Sequence, residues 1–190
     1  MTQSKVILVD VDDTIANTRQ AILDYYRLET GDYSTSLERA KSYWYAYDLC
    51  PKFTNEEVEN AFNDPLLFKL LKPMEGAQEG VAYLQRKGFD IRVCTMHRAE
   101  GVILKDTWLN YHFPTIESRY YSTSLRGNKD DFSAYSIIDD NIKNINTSPC
   151  DIPILLDFFG IQGNIYRKDD KRIRVNSWKE IIERGIFRNG

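Results

Sequence analysis

Cysteine and histidine are scarce in this sequence: three and two among 190 residues. Cys50, Cys94 and Cys150 are odd in number and form no Cys-x-x-Cys pair. That argues against a disulfide framework and makes a reducing, cytoplasmic setting the default expectation. His97 and His112 supply no histidine cluster for zinc, and no Ser/His/Asp arrangement for nucleophilic catalysis is visible. There is no Gly-rich phosphate loop, internal repeat or Gly/Ser linker. No apolar run approaches the roughly 18 residues of a membrane span. The apolar stretch near the N-terminus, Val6–Val9, is too short for a secretory signal. Basic residues are not in excess either. Lys and Arg number 25 against 28 Asp and Glu, giving a net charge of −3 and a pI near 5.5. Neither duplex nucleic acid nor a membrane is therefore an expected partner. A small anionic ligand needs only one local positive site and stays open.

What is present is an ordinary globular composition, 42% hydrophobic, in a chain long enough for one domain or a core with an inserted lobe. Aromatic residues stand out: 12 Tyr, 9 Phe and 3 Trp, with Tyr43, Trp44, Tyr45 and Tyr47 clustered. Short apolar runs read as buried strands at Lys5–Val9, Asp90–Cys94, Ser136–Ile138 and Ile152–Leu156. Helical spacing links Ala77, Val81 and Leu84, with Gly88 as a stop, and links Leu104, Trp108 and Tyr111. Ser177–Glu180 reads as a capping box before Ile181 and Ile182. Strands alternating with helices predict a parallel α/β sheet with helices on both faces. Residues 15–73 interrupt this rhythm. They predict helices over Ile15–Tyr26 and Leu37–Tyr47, a capping box at Thr54–Glu57 opening Val58–Phe62, and a short helix after Asp64-Pro65. The interval reads as a helical insertion between the first two strands.

The strongest chemical signal is Asp10-Val-Asp12-Asp13-Thr14, directly after the first strand. Residues two apart in an extended segment share a side. Asp10 and Asp12 can thus present two carboxylates at a strand's carboxyl end, where open α/β sheets bind ligands. Hard oxygen donors with room for substrate suit Mg²⁺. A carboxylate beside such an ion can also attack phosphorus. Two plainer readings compete. A calcium loop fails on spacing, since Ile15 and Ala21 stand where Gly and Glu are required. An acidic turn capping a helix through Asp13 or Thr14 stays open.

Ser136-Ile-Ile-Asp139-Asp140-Asn141 ends a second strand in carboxylates, though an Asx turn would look the same. Four carboxylates converging from two neighbouring strands would repel strongly without a cation between them. Thr95 ends another strand and either holds a phosphate oxygen or caps a helix. Lys129 either offsets charge at a transferring phosphoryl group or is a solvated surface lysine. His97 either faces a substrate or sits exposed in a loop, and His112 reads as structural.

The order DxD, Thr, Lys, Asp-Asp, each near a strand end, resembles the haloacid dehalogenase superfamily of phosphotransferases. The likeness covers about residues 5–14 and 74–157. Within that superfamily the chain is most similar to the 5′(3′)-deoxyribonucleotidases. Phe68–Ala77, Val93-Cys94-Thr95 and Lys105-Asp-Thr-Trp108 look like segments of that group, and Lys129 precedes Asp139 by ten residues as in the family. The resemblance implies a Rossmann-like three-layer α/β core with a mostly parallel sheet, formed by 1–14 and 74–190. It also implies a small helical cap, 15–73, inserted after the first strand.

The implied activity is Mg²⁺-dependent dephosphorylation of deoxyribonucleoside monophosphates through an aspartyl-phosphate. Asp10 would be the nucleophile and Asp12 the general acid, then base. Asp10, the Asp12 carbonyl and Asp140 would hold Mg²⁺ with Asp139 in support. Thr95 and Lys129 would bind phosphate. Tyr43 and Trp44 fall where the family places an aromatic pair beside the base. Their other reading is plain cap core, Trp44 lying at i+7 from Leu37. The chain departs from the family's Thr-Ser-Pro with Thr95-Met96-His97-Arg98, next to the phosphate and sugar, and has Asp13 in place of a common Gly. The partner expected is a small nucleoside monophosphate, and a homodimer is compatible with the resemblance. Two alternatives remain: a phosphatase for another small ester or a terminal nucleic-acid phosphate, and a catalytically silent nucleotide-binding module.

Overall fold

The computed structural model describes residues 5–40, 45–96, 101–122, 134–160 and 172–187. Six strands form one sheet: β1 (Val6–Val9), β2 (Asp90–Met96), β3 (Arg119–Ser122), β4 (Ser136–Asp139), β5 (Ile152–Leu156) and β6 (Ile173–Val175). All pairings are parallel, in the order β3-β2-β1-β4-β5-β6. The chain steps from β1 to β2 on one side and returns to β4 on the other, so the order reverses at β1. Such a switch point opens a crevice beyond the strand ends.

The four central strands fall where the apolar runs predict them. The edge strands β3 and β6 were not expected, for a physical reason. Arg119-Tyr-Tyr-Ser and Ile173-Arg-Val are short and half-polar, because an edge strand need not bury both faces.

Strand residues divide by parity into two apolar clusters. Ile7, Val9, Ile91, Val93, Ile138 and Ile154 join Ala77, Val81 and Leu84 of α5 (Ala77–Arg86) and Trp178 and Ile181 of α8 (Trp178–Glu183). Leu8, Cys94, Ile137 and Leu155 instead pack with Ile145 of α7 (Ile142–Thr147). Helices thus cover both faces, as predicted. The three cysteines are buried.

Four more helices lie between β1 and β2: α1 (Thr18–Thr30), α2 (Tyr45–Leu49), α3 (Asn55–Ala61) and α4 (Pro65–Leu70); α6 (Val102–His112) follows β2. Helix α1 starts three residues later than predicted. Asn17 is its cap, accepting from the Gln20 amide, while residues 11–16 are wound into a turn on the Val11 carbonyl. Neither Asp13 nor Thr14 holds the cap position, although the Asp13 carboxylate accepts the first-turn amide of Arg19. The helix predicted over Leu37–Tyr47 is not continuous: one 3₁₀ turn, Leu37–Arg39, ends at Ala40, whose ψ of 76° leaves helical space. The Thr54–Glu57 capping box forms with both reciprocal bonds, and Asp64 caps α4 ahead of Pro65. At α8 only half the predicted box forms: Ser177 accepts from the Glu180 amide, but the Glu180 carboxylate turns to the amide of Asn176.

Two indoles tie the base of the insertion to the core. Trp178 Nε1 donates to the Thr14 carbonyl at 2.8 Å, and Trp108 Nε1 donates to the Leu71 carbonyl at 2.8 Å. Between these points the two connecting segments pair with each other, Asn17 N to Lys72 O and Met74 N to Ile15 O. Space for Trp178 is made by Gly80, where an added Cβ would lie 2.3 Å from its Cε3. Because the indole is pinned and buried, it has nowhere to move. Gly80→Ala is expected to lower stability by about 1–2 kcal/mol, overpacking outweighing the better helix propensity of Ala. Urea denaturation of the two proteins measures this; an unchanged midpoint would show the indole free to shift.

Candidate active site

Strand register brings the predicted carboxylates together. Val9 pairs with Ile138, and the Asp10 amide donates to the Ile138 carbonyl at 3.0 Å. Asp10 therefore emerges beside Asp139 at the carboxyl ends of β1 and β4. Carboxylate oxygens of Asp10, Asp139 and Asp140 lie within 4.8 Å of one another, and all three residues are largely withdrawn from water. Three negative groups at that spacing repel unless a cation or proton lies between them.

The Asp139 carboxylate is oriented from its own side: Oδ1 accepts from the Asn141 amide at 2.8 Å, and the Asn144 amide group donates to both oxygens. The Asx turn that competed with the site reading is therefore real. It fixes the carboxylate rather than replacing its role.

Asp12 faces differently. Its Oδ1 accepts from the Thr18 hydroxyl at 2.9 Å and its Oδ2 from Lys105 Nζ at 2.6 Å. The Asp12 side chain is 32% exposed, whereas that of Lys105 is 2% exposed. Two carboxylates on one strand end thus have distinct surroundings, one in an acidic cluster and one on a cation. Thr95 lies at the end of β2, buried, with its Oγ1 3.4 Å from Lys105 Nζ. Among the described residues it caps no helix; the cap position of α6 is Gly101. Met96 is exposed at the strand terminus, and its carbonyl lies 3.5 Å from Lys105 Nζ.

Lys105 was missed as a site residue. The predicted stripe on α6, Leu104–Trp108–Tyr111, is offset: Tyr111 is 81% exposed, and the buried side carries Lys105, Trp108 and Leu109. Lysine is almost never fully buried without a partner. A Lys at i−3 to Trp108 and i−4 to Leu109, on the apolar face of a helix, was the legible signal. His112 packs against Trp108 with ring centroids 4.7 Å apart and planes tilted by 44°, and burial pushes its imidazole pKa down, consistent with its structural reading.

A second buried cation adjoins the site. Asp13 takes a left-handed backbone, φ +53°, and receives both the Arg19 amide at 2.9 Å and Arg19 Nε at 3.3 Å. Burial pushes the Asp13 carboxyl up to about 6, against the opposing pull of Arg19. Tyr45 of α2 is buried nearby; burial raises its phenol pKa, and the charges of Asp13, Asp12 and Asp140 push the same way. Lys129, Tyr43, Trp44, His97 and Arg98 lie outside the described residues.

An all-parallel sheet with carboxylates at the ends of its two central strands is the architecture of solved hydrolases of the haloacid dehalogenase type. Solved structures share the architecture at low identity. The chain superposes on the protein described as HAD-hydrolase YfnB of Bacillus subtilis, bound to magnesium, with a TM-score of 0.61 at 17% identity, covering 96% of this chain and 98% of that one. A HAD-superfamily hydrolase of subfamily IA from Geobacter sulfurreducens gives 0.57 at 14% identity, covering 95% of each. A hydrolase from Pseudomonas syringae gives 0.58 at 12%, covering 97% and 99%. Comparison with curated protein sequences finds no match. The family is decided by a match over residues 4–187: the chain belongs to the family described as 5′ nucleotidase, deoxy (Pyrimidine), cytosolic type C protein.

Proposed function

We propose that this protein is a Mg²⁺-dependent phosphomonoesterase that dephosphorylates deoxyribonucleoside monophosphates through a phospho-aspartate. The observation that supports the reading is the convergence of the Asp10, Asp139 and Asp140 carboxylates, with oxygens within 4.8 Å of one another, at the carboxyl ends of two neighbouring strands.

The donor set fits magnesium, since Asp10, Asp139 and Asp140 offer oxygens only and their mutual repulsion calls for a cation. Asp10 and Asp140 would hold the ion with the Asp12 main-chain carbonyl, and Asp139 would support. When bound, the ion neutralises the cluster and polarises a phosphate oxygen. Asp10 then attacks phosphorus, forming a bond from its carboxylate oxygen as the ester bond breaks. Asp12 in its protonated form gives that proton to the departing nucleoside oxygen, and the carboxylate so formed later takes one from the water that cleaves the acyl-phosphate. Lys105, 2.6 Å from Asp12, and Thr95 frame the side of the site where a phosphoryl group would sit, with Lys129 as a further phosphate ligand.

Residues 15–73 serve as the cap, in which Tyr43 and Trp44 would meet the base. Met96, His97 and Arg98 would line the sugar side. Stacking a base on an aromatic ring contributes about 1–3 kcal/mol in nucleic-acid-binding proteins. Three cysteines, odd in number and without a Cys-x-x-Cys pair, suit a reducing, cytoplasmic compartment.

The test is a panel of nucleoside monophosphates, ribo and deoxy, 5′ and 3′, beside sugar phosphates. Hydrolysis of dUMP or dTMP that disappears with EDTA and returns with Mg²⁺ is the expected result. Turnover of sugar phosphates alone would overturn the substrate assignment. Tight nucleotide binding without turnover would make the protein a silent binding module.

A further inference from the structure

Arg19 occupies the first turn of α1 and is 1% exposed. Both facts are unfavourable to a cation. The helix N-terminus carries partial positive charge, and burial removes the hydration of a guanidinium. Its Nη2 has no hydrogen-bond partner among the described residues, which adds a further cost. Something must offset these penalties, and the contacts show what. The guanidinium carbon lies 4.1 Å from the Tyr45 ring centroid and 4.2 Å from that of Phe159. Its Nε reaches Asp13, and its Nη1 donates to the Ala40 carbonyl at 3.2 Å. One side chain thus joins four segments: the turn after β1, the end of the 3₁₀ turn, α2, and the loop after β5. Two of these, Ala40 and Tyr45, belong to the inserted helical stretch, and two belong to the core.

We propose that Arg19 is a specificity-determining residue that acts by position, clamping Tyr45 of the inserted segment against the carboxylate site and so shaping the space for the organic part of the substrate. The proposal rests on the phosphatase reading and extends it. A guanidinium between two aromatic faces is planar and strongly oriented, so it fixes the plane of the Tyr45 ring as well as its distance. The push that Asp12, Asp13 and Asp140 exert on the Tyr45 phenol agrees with a ring held at the rim of the site. Phosphate is held by the core. A change at Arg19 therefore alters the handling of a bulky leaving group more than that of a small one.

The competing account makes Arg19 a counter-ion for Asp13 and nothing more. The double variant Asp13→Gly/Arg19→Met separates the two. It removes both charges together, Gly adopts φ +53° without strain, and Met fills comparable volume. Wild type and variant are assayed with dUMP and with p-nitrophenyl phosphate, and melting curves confirm folding. The expected result is a fall of about tenfold in the ratio of kcat/KM for dUMP to that for the chromogenic ester, the size of one lost aromatic stack. Most of it should appear in KM for dUMP. Tyr45→Leu should give the same fall, and adding the double variant to it should give no further loss. Arg19→Lys, which keeps the charge but not the planar stack, should lower the ratio too and serves if the double variant does not fold. An unchanged ratio overturns the proposal and leaves Arg19 as a counter-ion. A wild-type enzyme that hydrolyses neither ester, or only the chromogenic one, overturns the functional reading and this proposal with it.

Discussion

Asp10→Asn is expected to abolish dUMP or dTMP hydrolysis, with a loss on the order of 10⁴-fold or more, while the protein still folds. The amide is nearly isosteric with the carboxylate but cannot form the acyl-phosphate, so no two-step route survives. The same substitution removes one of three clustered negative charges. Without metal, the melting temperature should therefore hold or rise rather than fall, because repulsion with Asp139 and Asp140 is relieved. Activity and melting must be read together: a dead enzyme with an intact transition supports the mechanism. Equal turnover by wild type and variant would sink it.

Lys105→Met is expected to lower kcat by about 10²-fold, in the range for removing one preorganised electrostatic group from a site. The ammonium sits 2.6 Å from Asp12 and 3.4 Å from Thr95 Oγ1, so its loss changes the field at the carboxylate proposed to transfer a proton and at the side proposed for phosphate together. Met matches the length and apolar stem of Lys. It also removes the desolvation cost of a buried cation, and Asp12 stays partly hydrated and bonded to Thr18. Stability should therefore change by no more than about 1 kcal/mol. Circular-dichroism melting with steady-state kinetics measures both. A variant with normal kcat would show that Lys105 is only a structural counter-ion for Asp12, leaving phosphate charge to other residues.

These two residues differ in how legible they were. Asp10 was visible from local pattern alone. A β-branched apolar run ending in DxD places two carboxylates at a strand terminus whatever the rest of the chain does. Asp139 and Asp140 were legible for the same reason, and the parallel register of β1 with β4 then brought them within reach of Asp10. Lys105 is the fourth residue of α6, ten residues past Thr95 in sequence. Its role follows only from the way α6 turns that face toward β2, and the apolar spacing of Leu104, Trp108 and Tyr111 pointed to a stripe one residue off. Arg19 was hidden in the same way, since its four partners lie up to 140 residues away along the chain.

The elements followed a similar division. Buried central strands and the capped helices α3 and α4 declare themselves locally, through continuous apolar runs and side-chain caps. The edge strands do not, because half-polar runs of three or four residues gain strand geometry only from the neighbour they pair with. The helix expected over Leu37–Tyr47 fails at Ala40, where a non-helical backbone and a carbonyl bonded to Arg19 replace local propensity with a tertiary contact.

By itself the sequence determined that this is a parallel α/β protein with carboxylates at two strand ends and a helical insertion after the first strand. Those features depend on neighbours within a few residues: period, branching, capping and motif spacing. The tertiary structure alone decided that Asp12 meets Lys105 and Asp13 meets Arg19, and how the segment between β1 and β2 is tied down through Trp108, Trp178 and Arg19. Such pairings join residues far apart in the chain, and electrostatic and packing energies depend on distance in space, which no local pattern records.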